Sequence, residues 1–190
     1  MPSDTKPEID WDSLTFSFTQ TDRMYMAKCE IGGEWEKGAM KDYEDLVISP
    51  AAGVLNYGQG LFEGLKAQRA SDGSIVLFRP QQNARRAQEG ARRLGMPPVP
   101  EEMFLDAVIS AVRENSRWVP PMGKGALYIR PLLMGSGPIL GVAPAPEYTF
   151  LVFTSPVGPY FKGGITPTSL RVSDKFHRAA PGGSGGVKAI

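Results

Sequence analysis

The sequence predicts an α/β (α+β) fold, with strand hairpins first, then two helices and then further strands. Three observations support this fold class. Apolar and polar residues alternate near the start of the chain, apolar residues recur every three or four positions in its middle, and apolar runs of strand length follow. The chain has 190 residues, 42% of them hydrophobic, which is enough for a packed core in one large domain or two small ones.

The early alternation predicts strands within residues 14–31, with the glycine pair at 32–33 forming a hairpin turn. Residues 61–68 and 75–78 flank the sequence Ser-Asp-Gly at 71–73. Because this tripeptide is typical of turns, the two flanking segments are predicted to form a second hairpin.

Two helices are predicted from apolar residues at helical spacing. The first begins at Pro80 and ends at Gly95, because proline favours a helix start and glycine a helix end. The second begins near Pro100, with acidic residues in its first turn, where they interact favourably with the helix dipole. Its apolar stripe consists of Phe104, Ala107, Val108, Ala111 and Val112.

Further strands are predicted over residues 125–134, 147–157 and 169–173. The first of these suits a central position in a sheet, because its core is apolar around Tyr128 and Arg130. A charged side chain within such a strand should be either paired or functional, which makes Arg130 a candidate site residue.

Charge and composition exclude several classes of protein. There are 21 Lys and Arg residues against 20 Asp and Glu residues, so the chain lacks the basic excess expected of a protein that binds nucleic acid or an anionic membrane. The single cysteine, Cys29, excludes an intrachain disulfide and a multi-cysteine zinc site, and the single histidine, His177, argues against a histidine metal site. Cys29 is expected to be a small buried residue, and His177 is given no role.

The N-terminal residues 1–13 are polar, acidic and predicted to be flexible. They match neither a secretory signal nor a transit peptide, and no apolar run approaches the about 20 residues of a membrane helix. The expected location is therefore cytoplasmic by default, or a plastid or mitochondrion if the N-terminus is incomplete.

Two Gly-rich segments carry candidate residues. The Gly/Pro loop at 135–146 contains the apolar residues Leu140 and Val142, so it either packs on its own chain or lines a pocket or a second subunit. The run ending at Lys188 lacks the Gly and Ser/Thr that flank the lysine of a phosphate-binding P-loop. It is either a flexible linker or the site of a lysine that acts as a nucleophile or forms a Schiff base.

Several arginines and aromatic residues remain ambiguous when taken singly. Arg85 and Arg86, with Arg92 and Arg93 further along, are typical of a solvated helix face, although an arginine near a helix start also binds phosphate. The aromatic residues are each more typical of a core than of a site, namely Tyr57, Phe62, Tyr128 and Tyr160.

Seven segments taken in order carry a resemblance that none carries alone. They are YGQGLFEGLK at 57–66, LFRP at 77–80, NARR at 83–86, YIRP at 128–131, LGV at 140–142, PVGPYF at 156–161 and the run ending in Lys188. Over about residues 14–190, the chain resembles branched-chain amino acid aminotransferases, and among them the eukaryotic, plant-like subgroup.

The resemblance implies a pyridoxal 5'-phosphate enzyme of fold type IV that works as a homodimer in amino-acid biosynthesis. Its substrates would be leucine, isoleucine or valine and 2-oxoglutarate, with 2-oxo acids and glutamate as products. It implies a small N-terminal domain at 14–134, an interdomain loop at 135–146 and the beginning of a larger cofactor-binding domain at 147–190.

The same resemblance assigns roles to individual residues. Lys188 would be the catalytic Schiff-base lysine, and Arg86 would hold the cofactor phosphate, with Arg85 as its solvated neighbour. The substrate pocket would be formed by Tyr57, Phe62, Tyr128, Arg130 and Tyr160. Leu140 and Val142 would reach the partner subunit's site.

The chain ends two residues after Lys188, whereas the family continues, so the chain is expected to be C-terminally truncated and inactive by itself. Alternatives of the same fold are a D-amino acid transaminase and an aminodeoxychorismate lyase. A further alternative is a non-catalytic short product that pairs with a full-length subunit.

Overall fold

The computed structural model describes residues 9–159, 167–177 and 179–190. The strands of this described part are β1 (Arg23–Glu30), β2 (Ala39–Asp42), β3 (Gly60–Phe62), β4 (Leu65–Arg69), β5 (Ile75–Leu77), β6 (Ala126–Gly135) and β7 (Glu147–Val157). The helices are α1 (Gly53–Tyr57), α2 (Pro80–Arg93) and α3 (Glu101–Glu114). A 3-10 turn follows at Ser116–Trp118.

The strands form one sheet in the order β2-β1-β7-β6-β4-β5, and β3 pairs with β6 beside β4. Neighbouring strands are antiparallel throughout. The predicted central position of β6 is confirmed, because β7 covers one of its edges and β3 and β4 share the other. The α/β fold class is therefore confirmed, with an antiparallel sheet.

β7 lies between β1 and β6, so residues 147–157 belong to the same sheet as β1 to β6. The boundary predicted at residue 146 falls inside this sheet. We therefore propose that a boundary to a following domain comes after Val157. The predicted flexible N-terminus also makes contacts, since Ile9 packs against the core and Asp12 forms an ion pair with Lys124.

The two longer helices follow their sequence signals. Pro80 occupies the first turn of α2, where its fixed φ suits a helix start, and Gly95 beyond its end has a φ of +66°. α2 buries small residues, which let it lie close to its neighbours, namely Ala84, Ala87, Gly90 and Ala91. α3 buries all five residues of its predicted stripe, and its Phe104 stacks on Phe150 of β7 with ring centroids 5.8 Å apart.

Other predictions differ from the structure. The strand predicted within residues 14–31 begins only at Arg23, and the segment predicted at 61–68 is divided into β3 and β4 by Glu63 and Gly64. The predicted strand at 169–173 is wrong. In the described residues, this segment is paired with no strand, and Leu170 and Val172 are both exposed, so alternation alone provides no buried face there.

Asn115 joins the end of α3 to the start of β1. Its side chain is fully buried, and its Nδ2 donates to the carbonyl oxygens of Arg23 at 2.9 Å and Ala111 at 2.8 Å. Its Oδ1 accepts from the amides of Asp22 at 3.1 Å and Arg23 at 3.0 Å. All four hydrogen-bonding positions of the amide are therefore satisfied.

Asn115→Ala is expected to lower the free energy of unfolding by about 3 kcal/mol, because buried backbone groups lose their partners. Ser116→Ala, at the exposed neighbouring residue, is the matched control and should change the value by less than about 0.5 kcal/mol. Urea unfolding of both variants measures the difference, and equal effects would contradict the structural role of Asn115.

Candidate active site

Three of the predicted site residues share one face of the sheet. In β6, Ile129 is fully buried in the core, so strand alternation directs Tyr128 and Arg130 to the opposite face. Phe62 in β3 pairs with Leu132, which lies on the same face as Tyr128 by the same alternation. The side chains of Phe62, Tyr128 and Arg130 therefore come together only because β3 pairs with β6.

The ring of Phe62 is the centre of this group. The guanidinium carbon of Arg130 lies 4.5 Å from the ring centroid, and Nζ of Lys188 lies 4.3 Å from it. Both distances are within the range of cation–π attraction. Arg130 also donates from Nη2 to the Tyr128 hydroxyl at 3.1 Å. We call Phe62, Tyr128, Arg130 and Lys188 the cation–aromatic cluster.

Arg130 retains an unused donor. Its Nε is buried and has no hydrogen-bond partner among the described residues. A buried N–H without a partner is unfavourable, so an acceptor atom of a bound anion would be stabilised there. The cluster thus combines an aromatic wall with two cations, a composition that suits a ligand with an apolar part and a negative charge.

Lys188 is held by its main chain. Its carbonyl accepts from the Phe62 amide at 3.0 Å, and the Ile190 amide donates to the Gly60 carbonyl at 3.1 Å. Leu61 and Ala189 form a bridge between these two bonds. Residues 188–190 therefore extend the sheet at the free edge of β3. Such pairing is typical of an ordered strand and not of a flexible linker.

A glycine in α2 makes room for the residue before Lys188. A Cβ added at Gly90 would lie 3.2 Å from Cγ1 of Val187 and 3.1 Å from Cδ2 of Leu61. Both distances are tighter than ordinary van der Waals contact, so a side chain at position 90 would displace its neighbours. α2 therefore helps to seat the segment that carries Lys188.

Arg86 is bonded to Glu63, the residue that follows Phe62 in the chain. It donates from Nε to Oε1 of Glu63 at 2.6 Å and from Nη2 to Oε2 at 2.7 Å. This hydrogen bonding raises the pKa of the Arg86 guanidinium above its usual value. Arg85, by contrast, forms one ion pair of 3.3 Å, with Glu101. The two adjacent arginines therefore differ sharply in how they are held.

Lys188 and Arg86 contact consecutive residues of the chain. Lys188 lies against Phe62, and Arg86 is bonded to Glu63. The two cationic groups are therefore held by adjacent residues at the end of β3. In the described residues, no group of three or more His, Cys, Asp and Glu side chains is arranged to hold a metal ion.

Tyr57, Leu140 and Val142 form a separate group. The Tyr57 hydroxyl donates to the Leu140 carbonyl at 2.7 Å, while the side chains of Leu140 and Val142 are 85% and 106% exposed. Tyr57 and Val142 line a surface depression of about 410 Å³. In the part of the chain that the structure describes, no hydrogen bond or ring contact joins this group to the cation–aromatic cluster.

Glu63 and its partner Asn83 have no predicted role in the sequence. A sequence signal for Glu63 was present, because this charged residue interrupts the apolar residues Leu61 to Leu65 as Arg130 interrupts those of β6.

Cys29 is buried, as predicted, and Tyr160 lies outside the described residues. No described helix has the length and apolar character needed to cross a membrane.

Comparisons with known sequences identify relatives in plants. The chain is 59% identical over 183 residues to the chloroplastic branched-chain-amino-acid aminotransferase 5 of Arabidopsis thaliana, covering 96% of this chain and 44% of that protein. It is 55% identical over 189 residues to the mitochondrial branched-chain amino acid aminotransferase 1 of Humulus lupulus, covering 99% and 48%. A methionine aminotransferase of Arabidopsis thaliana is 50% identical, covering 96% and 51%. No family model matches the chain.

Solved structures share the fold. The branched-chain amino acid aminotransferase of Escherichia coli superposes with a TM-score of 0.63 at 19% identity, over 90% of this chain and 52% of that one. A second branched-chain amino acid aminotransferase, solved with pyridoxamine 5'-phosphate, gives a TM-score of 0.60 at 25% identity, over 77% and 43%. The branched-chain aminotransferase of the archaeon Thermoproteus uzoniensis, solved with norvaline, gives a TM-score of 0.59 at 25% identity, over 75% and 43%.

Fold and sequence together define the chain as part of a class IV aminotransferase fold. More particularly, its homologues are the branched-chain amino acid aminotransferases of plants, so the resemblance predicted from the seven segments is confirmed. The family that it resembles consists of enzymes. The chain spans about half the length of these relatives.

Proposed function

We propose that the whole protein transfers the amino group of leucine, isoleucine or valine to 2-oxoglutarate and uses pyridoxal 5'-phosphate as its cofactor. The observation that carries the proposal is the placement of Lys188 against Phe62 and of Arg86 against Glu63, on adjacent residues. The names of the relatives support the substrate class, and the solved relative with pyridoxamine 5'-phosphate supports the cofactor.

The residues present fit such a cofactor. Arg86 keeps donors that Glu63 does not use, and its half-exposed side chain can offer them to a phosphate. Lys188, which lies against Phe62, supplies a primary amine. Pyridoxal phosphate, when bound, would supply the carbonyl and the electron-accepting ring that amino-group transfer requires.

Lys188 would move the proton during the reaction. Its amine would take the proton from the substrate Cα as a general base and release it as a general acid within the same half-reaction, and the second half-reaction would use the two roles in reverse order. Main-chain pairing to β3 fixes the backbone from which its side chain projects. The Phe62 ring attracts the charged form of the amine. The group is therefore oriented before the substrate binds.

The cation–aromatic cluster would accept both kinds of substrate. The ring of Phe62 gives an aliphatic side chain an apolar wall. Arg130, with its unpartnered Nε and its bond to the Tyr128 hydroxyl, gives the carboxylate of glutamate a cationic partner. One pocket would thereby bind leucine and glutamate in turn.

The exposed side chains of Leu140 and Val142 would contact a second copy of the chain in a homodimer. Two such apolar residues side by side are unfavourable in water. The loop between β6 and β7 would place them at the partner subunit's site.

A substrate assay of the full-length protein tests the proposal. With pyridoxal phosphate and 2-oxoglutarate, we expect glutamate to form from leucine, isoleucine and valine. Turnover of D-alanine alone would refute the proposal and support the alternative D-amino acid transaminase. Methionine is a second candidate substrate, because one relative is named for it, and a kcat/KM for methionine above that for leucine would select it.

The compartment is proposed from the relatives. They are named chloroplastic or mitochondrial, so we propose one of these organelles in place of the cytoplasm that was expected by default. Imaging a fluorescent fusion of the full-length protein against plastid and mitochondrial markers tests this proposal, and a diffuse cytosolic signal would contradict it.

A further inference from the structure

Glu63 is a buried carboxylate at the edge of the sheet. Its side chain is 1% exposed, and its amide donates to the carbonyl of Pro131 in β6 at 2.8 Å. A carboxylate without partners is strongly unfavourable in such a position. Its partners therefore determine what the residue does.

Both oxygens of the carboxylate are occupied by donors of α2 and of the local main chain. Arg86 donates to Oε1 at 2.6 Å and to Oε2 at 2.7 Å, and Asn83 donates from Nδ2 to Oε2 at 2.8 Å. The Gly64 amide also donates to Oε2, at 3.3 Å. Asn83 and Arg86 are three residues apart and so share one face of the helix.

The bidentate geometry fixes the plane of the guanidinium. A guanidinium has five N–H groups, and Glu63 accepts two of those of Arg86, so three remain for another acceptor. The side chain of Arg86 is 52% exposed, whereas its partner is buried, so the remaining donors are accessible. Arg85 has no comparable support, because Glu101 accepts from it through one bond at 3.3 Å.

We propose that Glu63 is a positioning residue, which orients the guanidinium of Arg86 so that its remaining donors face the phosphate of the cofactor. The inference rests on the proposed function. Fixing a guanidinium in advance avoids loss of side-chain freedom on binding. An opposite effect competes with this one, because the negative charge of Glu63 would repel a phosphate. The two effects predict opposite results when the charge is removed.

Glu63→Gln in the full-length protein separates them. We expect its affinity for pyridoxal 5'-phosphate to fall about 10- to 100-fold, the range found when the hydrogen-bond partners that orient metal-binding side chains are removed. Its affinity for pyridoxal, which has no phosphate, should change less than about twofold. Equilibrium dialysis with each compound gives both values, and circular dichroism checks that the variant folds.

Two further variants serve as controls. Glu101→Gln removes the charge of the residue that pairs with Arg85 and should leave both affinities unchanged. In an Arg86→Ala background, Glu63→Gln should have no further effect on the affinity for pyridoxal phosphate, because the two residues act through one contact. If Glu63→Gln does not fold, Asn83→Ala replaces it, with a smaller loss of the same sign.

The outcomes are distinguishable. An unchanged or raised affinity of folded Glu63→Gln for pyridoxal phosphate overturns the positioning role and leaves the proposed function intact. An equal loss for pyridoxal and pyridoxal phosphate also overturns it, because the effect would then not act through the phosphate. If the wild-type protein binds neither compound, the proposed function fails and the positioning role falls with it.

Discussion

Lys188→Ala in the full-length protein is expected to lower kcat for leucine transamination by at least about 10³-fold. General acid–base catalysis alone contributes about 10²- to 10⁴-fold, and the variant also loses the amine nucleophile. The expectation rests on geometry, because Nζ of Lys188 lies 4.3 Å from the centroid of Phe62 and its main chain is paired with β3. Stopped assays of glutamate formation measure the loss.

Two controls accompany this variant. Lys188→Arg keeps the positive charge but cannot act as a base at neutral pH, so it should be nearly as inactive as the alanine variant. Lys124→Ala removes a half-exposed lysine that pairs with Asp12 and should retain wild-type kcat. An alanine variant at position 188 within about tenfold of wild type would remove the basis for its catalytic role.

Phe104→Ala is expected to destabilise the sheet domain by about 4 kcal/mol, as large-to-small substitutions in protein cores do. Phe104 is 1% exposed and stacks on Phe150 in β7, the strand between β1 and β6. Its truncation leaves a cavity between α3 and the sheet. Denaturant unfolding of the protein measures the change in free energy.

The matched control lies on the same helix. Ile109 in α3 is 41% exposed, and Ile109→Ala should cost less than about 1 kcal/mol. If the two variants were equally stable, the packing of α3 on the sheet would be wrong.

The sequence predicted the elements whose signals are local. α2 and α3 follow from helical spacing together with Pro80, Gly95 and the acidic first turn of α3, because these act over one or two turns. β6 and β7 follow from long apolar runs. The strand predicted at 169–173 is absent from the described residues, which shows the limit of prediction from local apolar patterns. Alternation of apolar residues does not supply a partner strand.

The sequence could not predict contacts between distant elements. Glu63 and Arg86 are 23 residues apart and meet only because α2 packs beside β3. Lys188 reaches Phe62 only through the pairing of the last residues with the free edge of β3. The position of β7 also depends on pairing between distant segments, because nothing local shows that β7 inserts between β1 and β6.

We propose that one cofactor binds to Lys188 while Arg86 holds its phosphate. Borohydride reduction of the full-length protein with pyridoxal 5'-phosphate, followed by peptide mass spectrometry, tests it most directly. We expect a phosphopyridoxyl group on Lys188, with an occupancy that falls in Arg86→Ala and persists in Arg85→Ala. A label on another lysine, such as the exposed Lys66 of β4, with none on Lys188, would contradict it.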